Sequence, residues 1–395
     1  MSTVTQSLLD YLGGQNPTLN VSKCRPGRNT TSGRTPWIIP RTIKAWDDFE
    51  YDALKSAYGG VLGEVLGCHF PLEQITVPQL PFCQIHDEKS FESLVTKWNQ
   101  SVVCQALGAT QRHLEGHLPL EKIYMCLGGQ TQLPCRNRYP DWAGMKPSTV
   151  STDGVEAKSK NFLPGDTKVS GKCCSANIER GEVLKSMWKL DWIQPVGQIY
   201  TYCIRANARY GYVITDKELI VFRIGPSPYS NRADLQLMAP GSHKILDPDI
   251  SAEKVEATRL LDETAVKRAE IDGTLEFRAI PWAAHSHEPD ADDGVMTVNL
   301  ALWWLHMMAA ENNIIEDQYP PLREAVWRPR PQLQATGLAS SDGSEKGRPL
   351  AKKTHNRRAD AQNLESKRGD RKRIRENLGG TNCMEPPASR RKRRT

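Results

Sequence analysis

Between Asp87 and Ile224 the hydrophobic period switches from helical to strand-like, returns to helical once and ends strand-like, and this order most narrows the folds open to the chain. Phe91, Leu94, Val95, Trp98, Val102 and Ala106 recur at helical spacing, which predicts an amphipathic helix over Asp87 to Ala109. From Glu121 the apolar runs are short and bounded by turn residues: KIYMCL (Lys122 to Leu127), RYPDWAGM (Arg138 to Met145) and NFLPGDTKVS (Asn161 to Ser170) read as three strands. Pro140 fits only near a strand start or on an edge. PVGQIYTYCIRA, from Pro195 to Ala206, reads as a helix with proline in its first turn. RYGYVIT and ELIVFRI, joined at Asp216-Lys217, form a hairpin. Helix, three strands, helix and two strands describe an α/β domain with a mixed central sheet flanked by helices.

The rest of the chain divides by composition. Residues 1–45, with Gly13-Gly14, Pro26-Gly27 and a Ser/Thr/Arg-rich run to Arg34, are expected to be a flexible segment, and residues 46–230 the folded core. Residues 231–330 are expected to form a mostly helical C-terminal extension. Within it, Ser251 to Ala269 and Thr297 to Asn312 read as helices and Leu275 to Trp282 as a strand. The face bearing Leu300, Trp303, Trp304, Met307 and Met308 is assigned to packing.

From Pro331 to Thr395 aromatic and branched residues are scarce, so too little apolar area is available to offset chain entropy and a disordered basic tail is expected. The overall charge of +6 conceals a strong asymmetry: residues 345–395 carry net +11 and residues 1–344 net −5. KRGDRKRIR (Lys367 to Arg375) and RRKRR (Arg390 to Arg394) match nuclear-import or nucleic-acid-binding runs, so a nuclear protein with an import receptor and nucleic acid as partners is expected.

Several classes are excluded by what the residues lack. The longest apolar run, Ala301 to Ala310, falls short of the roughly 20 residues of a membrane span and contains His306. MSTVTQSLLDYLGG has no basic segment followed by an apolar core, so no secretory signal is expected. Ten cysteines include no C-x-x-C, and the Cys173-Cys174 doublet reads as packed or loop thiols rather than a metal site. His285, His287, Glu288, Asp290, Asp292 and Asp293 read as an acidic surface loop. Kinase, P-loop and G-x-S-x-G signatures are all missing.

The chemistry points to Asp141, Asp166 and Lys168. Strand alternation puts Asp166 and Lys168 on one face while Thr167 points away, and a neighbouring strand brings Asp141 beside them. Two carboxylates and the Thr167 carbonyl form an all-oxygen donor set suited to Mg²⁺ or Mn²⁺. An ammonium two residues from a metal-ligating carboxylate can orient a water and stabilise charge growing on a phosphodiester. Asp/Glu-x-Lys occurs five times, but only Asp166/Lys168 lies on an expected strand between an Asp-bearing strand and a helix.

Pro140-Asp141, Asp166-Thr167-Lys168 and the helical Gln198-Ile-Tyr-Thr-Tyr202 in this order resemble the PD-(D/E)XK nuclease superfamily, in particular its RecB-like branch. LPGDTKVS and RYGYVITDKELIVFRI are also similar to nuclease-like proteins of filamentous fungi. The resemblance covers about Asp87 to Gly225 and implies a restriction-endonuclease-like core hydrolysing nucleic-acid phosphodiester bonds with Mg²⁺ or Mn²⁺. It implies Asp141 and Asp166 as metal ligands, Lys168 as the catalytic lysine, and Gln198 and Tyr202 as substrate or supporting contacts. It also implies a further acid from the preceding helix, for which Glu92 is the candidate. The alternative expectation is a catalytically inactive nuclease-like module that binds nucleic acid or protein.

Overall fold

The computed structural model describes residues 3–21, 37–79, 81–115, 117–118, 120–128, 139–147, 160–179, 193–226, 266–271, 273–285, 294–316 and 318–327, all within the compact unit Met1–Pro331. The basic tail, most of the Ser251 to Ala269 stretch and the acidic loop from His287 to Asp293 lie outside the described residues.

A seven-stranded mixed sheet organises the molecule. In chain order its strands are β2 (Thr42–Ala45), β4 (Tyr124–Leu127), β5 (Trp142–Met145), β6 (Gly165–Thr167), β7 (Tyr210–Ile214), β8 (Glu218–Pro226) and β9 (Gly273–Pro281). In space they run β2-β9-β8-β7-β6-β5-β4. β4, β5 and β6 form an antiparallel meander, and β7 is parallel to β6. A parallel pair needs a crossover, which contains the helices α6 (Ser175–Glu179) and α7 (Ile193–Ala206). β7 and β8 form the expected hairpin, Tyr210 opposite Arg223.

The other small sheet pairs β1 (Thr3–Ser7) with β3 (His69–Glu73), and Ser7 caps α1 (Leu8–Gly13) by accepting the Asp10 N–H. β2 runs parallel to β9, with Lys44 opposite Glu276. The expectation of a flexible segment to residue 45 is therefore corrected for residues 3–21 and 37–45. Leu8 and Leu12 are fully buried and Trp37 nearly so. The region after 230 is likewise no appendage, because β9 pairs with β8 from Glu218 opposite Pro281 to Pro226 opposite Gly273.

Residues alternate across the sheet into two cores. Tyr212, Ile214, Leu219 and Val221 face the larger one, which holds α2 (Tyr51–Ser56), α3 (Val61–Gly67), α4 (Glu88–Val95), α5 (Ser101–Leu114) and α8 (Val298–Glu311). Val213, Ile220, Phe222 and Ile224 face α7. α8 is apolar on every side and buried from Val298 to Ala310, as such a helix must be. Trp304 stacks on Phe49 at 4.4 Å, and the Trp303 indole donates to Thr110 Oγ1 at 3.1 Å.

His306 is also sealed in this core. Its Nδ1 lies 2.7 Å from the Leu302 carbonyl, and burial pushes its pKa down to about 4.

The expected Asp87 helix is capped by a reciprocal Asp87/Ser90 box, and it is interrupted by a π-helical turn at Thr96–Gln100 between α4 and α5. That turn places Trp98 and Asn99 inward. The Trp98 indole and the Asn99 amide both donate to Asn16 Oδ1, at 2.9 and 3.0 Å, and Asn99 Nδ2 also reaches Asn299 Oδ1 at 2.7 Å. Leaving such a buried amide unmatched costs about 1–3 kcal/mol, so these bonds fasten the N-terminal segment to the turn between α4 and α5 and, through Asn99, to α8.

Candidate functional site

β5 and β6 are direct neighbours, Trp142 opposite Gly165, so the residues flanking them meet. On its other side Gly165 leaves room for the Tyr212 ring of β7: a Cβ there would sit 2.2 Å from Tyr212 Cζ. Asp141, just before β5, accepts the Thr167 N–H on Oδ2 at 2.9 Å, which brings its carboxyl close enough to Asp166 to raise that residue's pKa. Lys168 Nζ donates to Asp166 Oδ2 and, at 3.1 Å, to the Thr167 carbonyl. Thr167 points to the opposite core, where its Oγ1 accepts the Trp142 indole N–H at 2.8 Å.

This cluster is almost sealed: Asp166 is 1% and Lys168 8% exposed, with Asp141 and Gln198 partly exposed at its rim. Burial pushes the Asp166 pKa well above the carboxylate range; Lys168 opposes this and the Asp141 carboxylate adds to it. Burial lowers the Lys168 pKa, but Asp166, Asp141 and Glu88 outweigh it, so the ammonium stays charged. Lys168 alone thus does not offset the cost of burying a charge on Asp166.

α7 supplies the next layer. Gln198 Nε2 donates to the Tyr202 hydroxyl at 2.9 Å, and that hydroxyl donates to the Tyr139 carbonyl at 3.1 Å. Burial, followed by the nearby Asp166 charge, raises the Tyr202 pKa, so it remains a neutral donor. Trp37 packs edge-on against the Tyr202 ring at 5.9 Å. On the other flank Gly128 N–H donates to the Asp141 carbonyl at 2.8 Å, and a Cβ at Gly128 would lie 2.1 Å from the Pro140 oxygen. The turn presenting Asp141 is therefore pinned from both sides.

α4 contributes two carboxylates of different standing. Glu92 is paired with Lys89 at 2.9 Å. Glu88, one turn earlier, is the α4 acid that acts on Lys168, and its Oε1 lies 3.0 Å from Lys172 Nζ. Glu88 was not singled out in the sequence, although the i, i+4 spacing places both acids on one helix face.

The β7–β8 hairpin holds two further acids that no local sequence pattern marks. Asp216 accepts the Ser170 N–H and hydroxyl, and Glu218 accepts the Ser175 N–H and hydroxyl at 2.7 Å each. These two carboxylates hold the segment that follows Lys168.

Among the described residues no group of three or more His, Cys, Asp or Glu side chains forms a ready metal cage. The available oxygen donors are the Asp141 and Asp166 carboxylates and the Thr167 carbonyl, a set that leaves room for water on a hard cation. Among the described residues no helix is long and apolar enough to cross a membrane. No protein-family model matches the chain, and neither a curated protein nor a solved structure matches it.

Proposed function

We propose that the chain is a metal-dependent nuclease of the PD-(D/E)XK kind, with a restriction-endonuclease-like core, that hydrolyses nucleic-acid phosphodiester bonds. The observation that carries this reading is the convergence of Asp141, Asp166 and Lys168, three residues of two sequence segments, in one buried cluster. The helix, antiparallel meander, crossover helix and parallel strand around them support it.

Mg²⁺ or Mn²⁺ would be held by Asp141, Asp166 and the Thr167 carbonyl. Burial disfavours the charged form of Asp166, and a bound cation would offset that cost and hold the carboxylate ionised. The ion would supply an activated water and neutralise phosphate charge. Lys168, fixed by Asp166 and the Thr167 carbonyl, orients the attacking water and stabilises charge on the non-bridging oxygens. Gln198 and Tyr202 act as positioning residues, since their hydrogen bonds run to the backbone before Asp141. Glu88 fits the part of the helix acid better than Glu92, which is engaged with Lys89.

The basic clusters beyond Glu345 suit nucleic-acid binding and recognition by an import receptor, hence a nuclear location. The second reading, an inactive module that binds nucleic acid or protein, draws on the near-complete burial of Asp166 and Lys168. Incubating purified protein with single- and double-stranded DNA and RNA in Mg²⁺, Mn²⁺ or chelator decides between them. Metal-dependent cleavage supports the nuclease; binding with no cleavage of any substrate supports the inactive module.

A further inference from the structure

We propose that the exposed ring of Tyr139 is a stacking platform for an unpaired base, so that the site beside it accepts single-stranded nucleic acid; this rests on the nuclease reading above. Tyr139 is 47% exposed, whereas Tyr200 and Tyr202, the tyrosines of the adjacent helix, are buried. The backbone beneath the exposed ring is fixed. Its carbonyl accepts the Tyr202 hydroxyl, Pro140 restricts its own conformation to the extended region, and Asp141 is tied to Thr167 and Gly128.

A large ring on a backbone restrained by the Tyr202 hydrogen bond and by Pro140 loses less freedom when a planar partner settles on it, which favours a preorganised contact surface. One residue separates it from Asp141, so a strand stacked there lies within about a nucleotide's reach of the carboxylate pair. Two observations favour an unpaired strand. Stacking needs a free base face, which the interior of a duplex does not offer. The reactive groups are also recessed, so a phosphate has to descend to Asp166 and Lys168, and a flexible single strand does this more readily than a rigid duplex.

The test is photo-cross-linking of the full chain, with Mg²⁺, to an oligodeoxynucleotide carrying one 5-iododeoxyuridine, at salt high enough to suppress charge-driven binding by the basic tail. The expected result is a cross-link on the Tyr139 peptide with the single strand and none with the same sequence in duplex form. Tyr139→Ala should weaken single-strand binding roughly tenfold or more while Tyr139→Phe retains it. A cross-link that maps elsewhere, or single-strand binding unchanged in Tyr139→Ala, overturns the platform. Cross-linking at Tyr139 without cleavage by the wild-type chain would retire the nuclease reading and leave the platform standing. Cleavage together with unaltered binding in Tyr139→Ala would do the opposite.

Discussion

The Thr167 N–H donates to the Asp141 carboxylate at 2.9 Å across 26 residues of sequence, so the strand that carries Asp166 and Lys168 is itself a ligand of the other acid. One Asp141 oxygen is occupied by the backbone while the carboxyl also meets Asp166. Loss of either acid therefore disturbs the geometry as well as the charge of the pair.

Lys168→Ala should lower metal-dependent cleavage by about two orders of magnitude or more, as for removal of one electrostatic stabiliser, while circular dichroism stays native. Cleavage that persists undiminished in the variant would identify a contaminant or a different site.

Metal binding is open to a direct measurement. Titrating Mn²⁺ by its paramagnetic resonance signal should show one tight site in the wild type that is lost in Asp166→Asn and weakened in Asp141→Asn, both acids being in the donor set. Equal Mn²⁺ affinity in all three proteins would remove the carboxylate pair as the metal site.

The two acids of α4 should differ. Glu88→Gln removes a charge that acts on Lys168 and is expected to cost about tenfold in cleavage rate, in the range of supporting contacts around a metal site. Glu92→Gln should stay within about twofold, since its partner is the exposed Lys89. The reverse ranking in steady-state kinetics would return the role to Glu92.

His306 makes stability depend on pH. Its folded-state pKa of about 4 lies below the unfolded value near 6.5, so the unfolded chain binds the extra proton first as pH falls. Stability is unaffected above about pH 6.5 and declines between 6.5 and 4, by roughly 3 kcal/mol over the whole window. Urea unfolding at pH 7 and pH 4.5 should show His306→Leu losing less stability on acidification than wild type; identical losses would mean that other groups carry the effect.

Deleting residues 345–395 removes net +11 and should weaken non-specific nucleic-acid binding and flatten its salt dependence. A fluorescent fusion of the truncated chain should also leave the nucleus. Salt slopes and localisation that match the full chain would reduce the basic clusters to a solubilising tail.

Local pattern by itself determined the sheet-forming runs, the Asp87 helix start, α7, the hairpin, the buried α8 and the common face of Asp166 and Lys168. Each depends on periods of two or 3.6 residues, or on a cap, within one short segment. The tertiary structure alone decided that residues 3–21 and 37–45 join the body, because their partners lie far along the chain: Trp282 for Asn16, Thr201 for Ile38 and β9 for β2. It also decided that β5 and β6 are adjacent, which a strand's own sequence does not encode, and this adjacency is what turns Asp141 from a turn residue into the partner of Asp166. Glu88 rather than Glu92 near Lys168, and Asp216 and Glu218 as anchors of Ser170 and Ser175, follow from how α4 and the β7–β8 turn pack against β6. Helical spacing gives the face a side chain occupies, but only packing fixes which turn of that face meets the site.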